Sequence, residues 1–217
     1  MSADDHKRAA AEAAALLVED GMRVGLGTGS TVAFLLPALA ARGLRDLRCV
    51  ATSAATEQRA RDLGLPVEPF DTLDRLDIAI DGADQVAPDF WLVKGGGGAH
   101  TREKAVAASA DRFVVIVHAA KAVDAIHGPI PLELLRFGLR STLRRLGGWG
   151  RVRLREGWPP SPDDGVIADL DGDVGDPAQL ADRLANTVGV VDHGLFGPEL
   201  VAEVIVAGPG GVEHRRQ

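Results

Sequence analysis

Cysteine is nearly absent from the 217-residue chain, which carries only Cys49. No internal disulfide can form, and paired-cysteine metal or redox motifs are excluded. Cys49 lies in the apolar run "LRCVATS", where a buried, reduced thiol is expected. No apolar run approaches the roughly 18 residues that span a bilayer. The charged, alanine-rich stretch "MSADDHKRAAAEAAALLVEDG" lacks the apolar centre of a secretory signal, so a cytoplasmic chain without a membrane partner is expected. A positive excess is missing too: the net charge is −7, which argues against nucleic acid as a partner. One patch resists that reading, namely Arg136, Arg140, Arg144, Arg145, Arg151, Arg153 and Arg155. Positions 136, 140 and 144 are spaced along one helical face, which favours a solvated face or a subunit contact over a nucleic-acid surface. There is no G-x-x-x-x-G-K-[ST] phosphate loop and no internal repeat.

What is present is an ordinary globular composition, 46% hydrophobic, at a length that suits one large domain with a smaller lobe. "DDHKRAAAEAAALLVEDG" reads as a helix stopped by Gly21, and "MRVGLGTGS" as a strand entering a glycine turn. Helix "TVAFLLPALAARG", strand "LRCVATS", helix "AATEQRARDLG", short strand "PVEPF" and strand "LDIAIDGAD" follow. "FWLVKGGGG" leads into helix "TREKAVAASA" and the buried strand "RFVVIVHA". Continuous apolar strands alternating with helices predict a Rossmann-like α/β fold, an open parallel sheet with helices on both faces. After Lys121 the pattern changes to a proline-rich lead-in, a helix, two strand-like pieces around "WPPSPDDG" and a second helix, "DPAQLADRLANTVGV". That order predicts a small α+β lobe. The expected division is residues 1–125 with 201–217 as the Rossmann-like domain and 126–200 as the lobe. "VAEVIVAG" supplies an apolar strand able to rejoin the first sheet.

Ligands of open parallel sheets bind at the carboxyl ends of strands, and three loops expected there carry unusual chemistry. "GLGTGST" departs from a dinucleotide fingerprint, because Ser30 replaces the last glycine and no acidic residue ends the next strand. Thr28, Gly29, Ser30 and Thr31 at a helix N-terminus form a seat for a single phosphate, whereas simple N-capping accounts for only one of the hydroxyls. "IDGAD" places Asp81, Gly82, Ala83 and Asp84 in an acidic turn. That turn is a plain Asp-Gly turn, a metal site short of further ligands, or a holder of sugar hydroxyls. In "KGGGGAHTREK", Lys94 precedes Gly95, Gly96 and Gly97, and Glu103 follows in the first turn of a helix. Consecutive glycine N–H groups beside a cation suit an oxygen that becomes negative during reaction, and Glu103 suits a general base. No redox cofactor, resident metal or Ser/Cys–His nucleophile is expected. The set fits proton transfer next to a carbonyl in a small phosphorylated sugar.

These motifs, "GLGTGSTV", Thr52-Ser53, "DGADQV", "KGGGGAHTREK" and "GVVDHGLF", resemble in order and spacing those of the A-type ribose-5-phosphate isomerases, over nearly the whole chain. The resemblance implies interconversion of D-ribose 5-phosphate and D-ribulose 5-phosphate through an enediolate, without a cofactor or metal. It implies catalytic roles for Glu103, Asp81, Asp84 and Lys94. It implies substrate binding by Thr28, Gly29, Ser30, Thr31, Asp81, Gly82, Ala83, Asp84, Lys94, Gly95, Gly96, Gly97 and Lys121, with Lys7 a weaker match. His100 stands where the family usually has leucine, either as a packing or capping residue or as a group titrating near the site. The lobe is the most divergent part; in the family it covers the cleft and builds a homodimer or homotetramer. Two rivals share the fold: a sugar-phosphate deaminase or lactonase, which would want a histidine base, and a non-catalytic sugar-phosphate sensor, which should lack Glu103 or Lys94.

Overall fold

A computed structural model describes residues 2–217. In chain order it runs α1 (Ala3–Ala15), β1 (Arg23–Leu26), α2 (Val32–Ala41), β2 (Arg48–Ala51), α3 (Ala54–Asp62), β3 (Ile78–Asp81), β4 (Gln85–Val86), β5 (Leu92–Val93), α4 (His100–Ala108) and β6 (Phe113–His118). Then come β7 (Ile130–Leu134), α5 (Leu139–Leu146), β8 (Arg151–Leu154), β9 (Val166–Asp171), α6 (Pro177–Ala185), β10 (Val190–His193), β11 (Leu195–Phe196), β12 (Val201–Gly208) and β13 (Gly211–Arg216). Two compact units result: Met1–Ala83 with Arg102–Ala122 and Glu199–Gln217, and Asp84–Thr101 with Val123–Pro198. Among the described residues no helix is long and apolar enough to cross a membrane.

The first unit is built on a six-stranded sheet of order β13-β12-β6-β3-β1-β2. Five strands are parallel, and β13 closes the edge antiparallel to β12. β3 is buried along its whole length and β6 nearly so, because helices cover both faces. On one face, Ala10, Ala11 and Ala14 of α1 and Leu35, Leu36 and Leu39 of α2 join Leu26, Ile78, Ile80, Val114 and Ile116 in one cluster. The alanines of α1 let that helix lie close to its neighbours. On the other face Gly25 makes room for α4, since a Cβ there would stand 2.5 Å from Val106 Cγ1. A capping box at Ser2 and Asp5 starts α1. Cys49 is buried in β2, and burial, helped by the Glu68 charge, pushes its thiol up to about 12.

Three sequence expectations need correction here. "PVEPF" forms no strand; it makes one isolated bridge at Val67 and a 3₁₀ turn over Phe70–Thr72, its two prolines lacking ladder donors. The terminal segment supplies two strands, folded back through Pro209 and Gly210 with Gly208 opposite Gly211. Arg136 lies outside the helix that holds Arg140 and Arg144, because α5 starts after Gly138 in the left-handed conformation.

The second unit carries a four-stranded antiparallel sheet, β10-β7-β9-β8, and a small sheet, β11-β5-β4. Its core is Ile130, Leu132 and Leu134 of β7 against Leu146, Ala168, Leu170, Leu180 and Leu184. The proline-rich lead-in is thus itself a strand, and an interior one. Pro131 lacks an N–H, but its C=O accepts the Gly194 N–H at 2.7 Å.

Candidate active site

In the first unit, β1, β3 and β6 are consecutive parallel strands, and the loops at their carboxyl ends hold Thr28–Thr31, Asp81–Ala83 and Lys121. Asp81 is buried, and its Oδ1 accepts the N–H groups of Thr28 at 3.0 Å and Gly82 at 2.7 Å. This approach requires Gly27, where a Cβ would fall 2.0 Å from the Asp81 carboxyl carbon. The Thr28 hydroxyl belongs to a cluster, 2.7 Å from Thr52, 2.9 Å from Ser53 and 3.2 Å from Thr56. Thr56 also donates to the Gly27 carbonyl at 3.0 Å. Thr31 occupies the N-cap of α2 without making a side-chain cap bond, and Ser30 is exposed. The Ser30 and Thr31 hydroxyls thus stand at the N-terminal end of α2, where the Ala33 N–H bonds to the Gly29 carbonyl at 3.0 Å and the Phe34 N–H to the Thr31 carbonyl at 3.0 Å.

Positive charge gathers in the same unit. His118, at the end of β6, is held below its usual pKa first by burial and then by Lys121, Lys7 and His6. Lys7 is largely covered and pairs with Asp4 at 3.0 Å. Glu103, in the first turn of α4, is 5% exposed.

In the second unit, Lys94 is 3% exposed, and its ammonium lies 5.5 Å from the centre of the Phe196 ring. Its N–H donates to the Gly194 carbonyl at 2.8 Å. The glycines form a turn closed by the Gly98 N–H on the Gly95 carbonyl at 3.0 Å. Gly95 has φ of +109°, and a Cβ there would meet His100 Nδ1 at 2.7 Å and Pro131 Cβ at 2.8 Å. His100 is fully buried, so it packs under the turn. The Gly96 N–H donates to Asp84 Oδ2 at 2.7 Å, and a Cβ on Gly96 would crowd the same carboxylate. A Cβ on Gly97 would meet nothing within 4 Å. Among the described residues, no group of three or more His, Cys, Asp and Glu side chains is placed to hold a metal ion.

The family model for ribose 5-phosphate isomerase A (phosphoriboisomerase A) matches residues 48–211. The ribose-5-phosphate isomerase A of Caulobacter vibrioides is 47% identical over 223 residues, covering 98% of each chain. The chain belongs to the ribose 5-phosphate isomerase A family. The solved isomerase of Neisseria gonorrhoeae superposes with a TM-score of 0.95 at 30% identity, over 99% of this chain and 97% of that one. Another D-ribose-5-phosphate isomerase, solved in complex with phospho-erythronic acid, superposes with a TM-score of 0.95 at 31% identity over the full length of both chains.

Family membership gives the "GVVDHGLF" segment a structural reason. Gly194 must be glycine, since a Cβ would stand 2.1 Å from the Lys94 carbonyl oxygen, and Phe196 underlies the Lys94 ammonium. Neither residue was singled out by sequence reasoning, although both lie in a quoted motif. Gly27 was missed in the same way, one residue before the phosphate turn.

Proposed function

We propose that the chain interconverts D-ribose 5-phosphate and D-ribulose 5-phosphate with Glu103 as the base that carries the proton between C2 and C1. The observation that carries this reading is the burial of Asp81, Lys94 and Glu103, three ionisable side chains that solvation would otherwise keep at the surface. Such burial is expected where charge is used in chemistry. The phosphate sits on the α2 N-terminus with Ser30 and Thr31, and Lys121 and Lys7 offset its charge. Asp81 helps open the sugar ring. Glu103 takes the C2 proton and returns it to C1, while Asp81 or Asp84 relays the hydroxyl proton from O2 to O1. Lys94 and the Gly97 N–H of the glycine turn stabilise the enediolate oxygen that forms between these transfers, the Gly96 N–H being held by Asp84.

The phospho-erythronic acid bound by the solved relative supports a phosphorylated sugar as substrate, because its carboxylate resembles the paired oxygens of an enediolate. A deaminase or lactonase with a histidine base is disfavoured, since relatives matching nearly the whole chain are ribose-5-phosphate isomerases. A homodimer or homotetramer assembled through the lobe is supported by the exposed Leu135, Phe137 and Val188.

The test is a ketose assay on ribose 5-phosphate with the wild type and Glu103→Gln. Turnover should fall by about 10²–10⁴-fold, the usual general-base contribution, while phospho-erythronic acid still binds. Retention of more than roughly a tenth of wild-type turnover would remove Glu103 from the role of base.

A further inference from the structure

The sequence places the arginines on a solvated or contact face, yet the side chain of the last of them is largely covered. Arg155, just beyond β8, is 11% exposed and pairs through Nε and Nη2 with both carboxylate oxygens of Asp169 at 2.8 and 2.7 Å. Its guanidinium carbon stands over the Trp158 ring, 4.8 Å from the ring centre. These contacts leave Nη1, which donates to the carbonyls of Gly95 at 3.0 Å and Gly96 at 3.1 Å. The same Trp158 ring flanks the turn at Gly98.

A trans peptide is planar, with its C=O and N–H pointing opposite ways. Holding the Gly95 carbonyl therefore aims the Gly96 N–H away from the guanidinium, and that N–H reaches Asp84. Holding the Gly96 carbonyl aims the Gly97 N–H away in the same manner. Glycines are the residues least able to keep such orientations unaided, since they have the widest choice of backbone conformation. We infer that Arg155, fixed by Asp169 and Trp158, is a positioning residue that locks the two peptide planes of the glycine turn, one keeping the Gly96 N–H on Asp84 and the other presenting the Gly97 N–H to the developing oxyanion.

This rests on the reading of the turn as an oxyanion holder. Arginine suits the task because one planar fork serves a carboxylate and two carbonyls together, whereas lysine offers a single point of attachment. Arg155 need not touch the substrate.

The experiment compares wild type, Arg155→Lys and the charge-balanced double variant Arg155→Gln with Asp169→Asn. Steady-state kinetics on ribose 5-phosphate, thermal melts and binding of phospho-erythronic acid are measured for each. Expected is a loss of about 10²-fold in kcat, the size of losing one oxyanion donor. KM should change by less than about threefold, and affinity for phospho-erythronic acid should fall in parallel with kcat/KM. Folded variants with wild-type kcat, or with KM rising while kcat holds, would overturn the assignment. So would unchanged affinity for phospho-erythronic acid, and so would failure of both variants to fold, which would make Arg155 a stabilising residue of the lobe only. A wild type that does not isomerise ribose 5-phosphate would instead defeat the underlying functional reading.

Discussion

Single glycines near the site differ in what they protect, and the differences can be measured. At Gly27 the missing side chain makes room for the Asp81 carboxyl group, 2.0 Å from where a Cβ would sit. Gly27→Ala must displace that carboxylate or the strand end, a strain of about 1–3 kcal/mol. Misplacing a reacting group by about an ångström typically costs up to about 10²-fold in rate. Both the melting temperature and kcat should fall. Gly97→Ala should separate the two effects, because the new methyl meets no protein atom within 4 Å and φ there lies outside the left-handed region. Its melting curve should match wild type while turnover drops. Equal turnover for Gly97→Ala and wild type would show that substrate does not approach this glycine. Sequence reading found the glycine run but treated its members alike, because a steric neighbour 12 residues away, such as Asp84 for Gly96, leaves no trace in local spacing.

The elements themselves were legible where local chemistry decides them. Apolar strands β1, β2, β3 and β6 and the helices between them were read correctly, since continuous hydrophobicity and glycine stops are strong local signals. β7 was missed because Pro131 argues against an interior strand; the Gly194 N–H bonded to its carbonyl comes from a residue 63 positions on. β13 was missed because its exposed, charged residues "GVEHRR" carry no apolar pattern. Its inner anchor is Glu203 of β12, buried and bonded to His214, Arg216 and Arg112. The α2 N-terminus yields a prediction at this scale. Thr28 and Ser30 looked equivalent in "TGST", but only Thr28 is tied into the hydroxyl cluster with Thr52, Ser53 and Thr56. Ser30→Ala should raise KM for ribose 5-phosphate with no change in melting temperature. Thr28→Ala should also destabilise, by about 1 kcal/mol per hydrogen bond lost. An unchanged KM in Ser30→Ala would take that hydroxyl out of the phosphate seat.

For the whole molecule, acidification should weaken the fold in two stages. His118 is kept neutral by burial and by Lys121, Lys7 and His6, so its folded pKa lies below the ordinary value of about 6.5. The unfolded chain then takes up a proton first, and stability falls as pH drops through that window. The second stage begins below about 4.3, the ordinary glutamate value. Burial alone would raise the pKa of Glu203, but hydrogen bonds from His214 and Arg216 outweigh it, so the net shift is downward. Asp77 is lowered chiefly by its hydrogen bond from Arg23. Stability held by these carboxylates is present above the unfolded value and lost as they protonate. Melting curves from pH 8 to about pH 2 should show both declines, and His118→Gln should erase only the first. A variant that keeps the decline near pH 6 would assign it to another group.

The lone thiol gives the molecule a built-in clock. Burial pushes the Cys49 thiol up to about 12, so it stays protonated at pH 7, and it is fully buried in the folded chain. An alkylating reagent can therefore mark the chain only when the packing around β2 opens. The rate of that marking times the opening of the sheet edge in untouched protein, with no dye or engineered label.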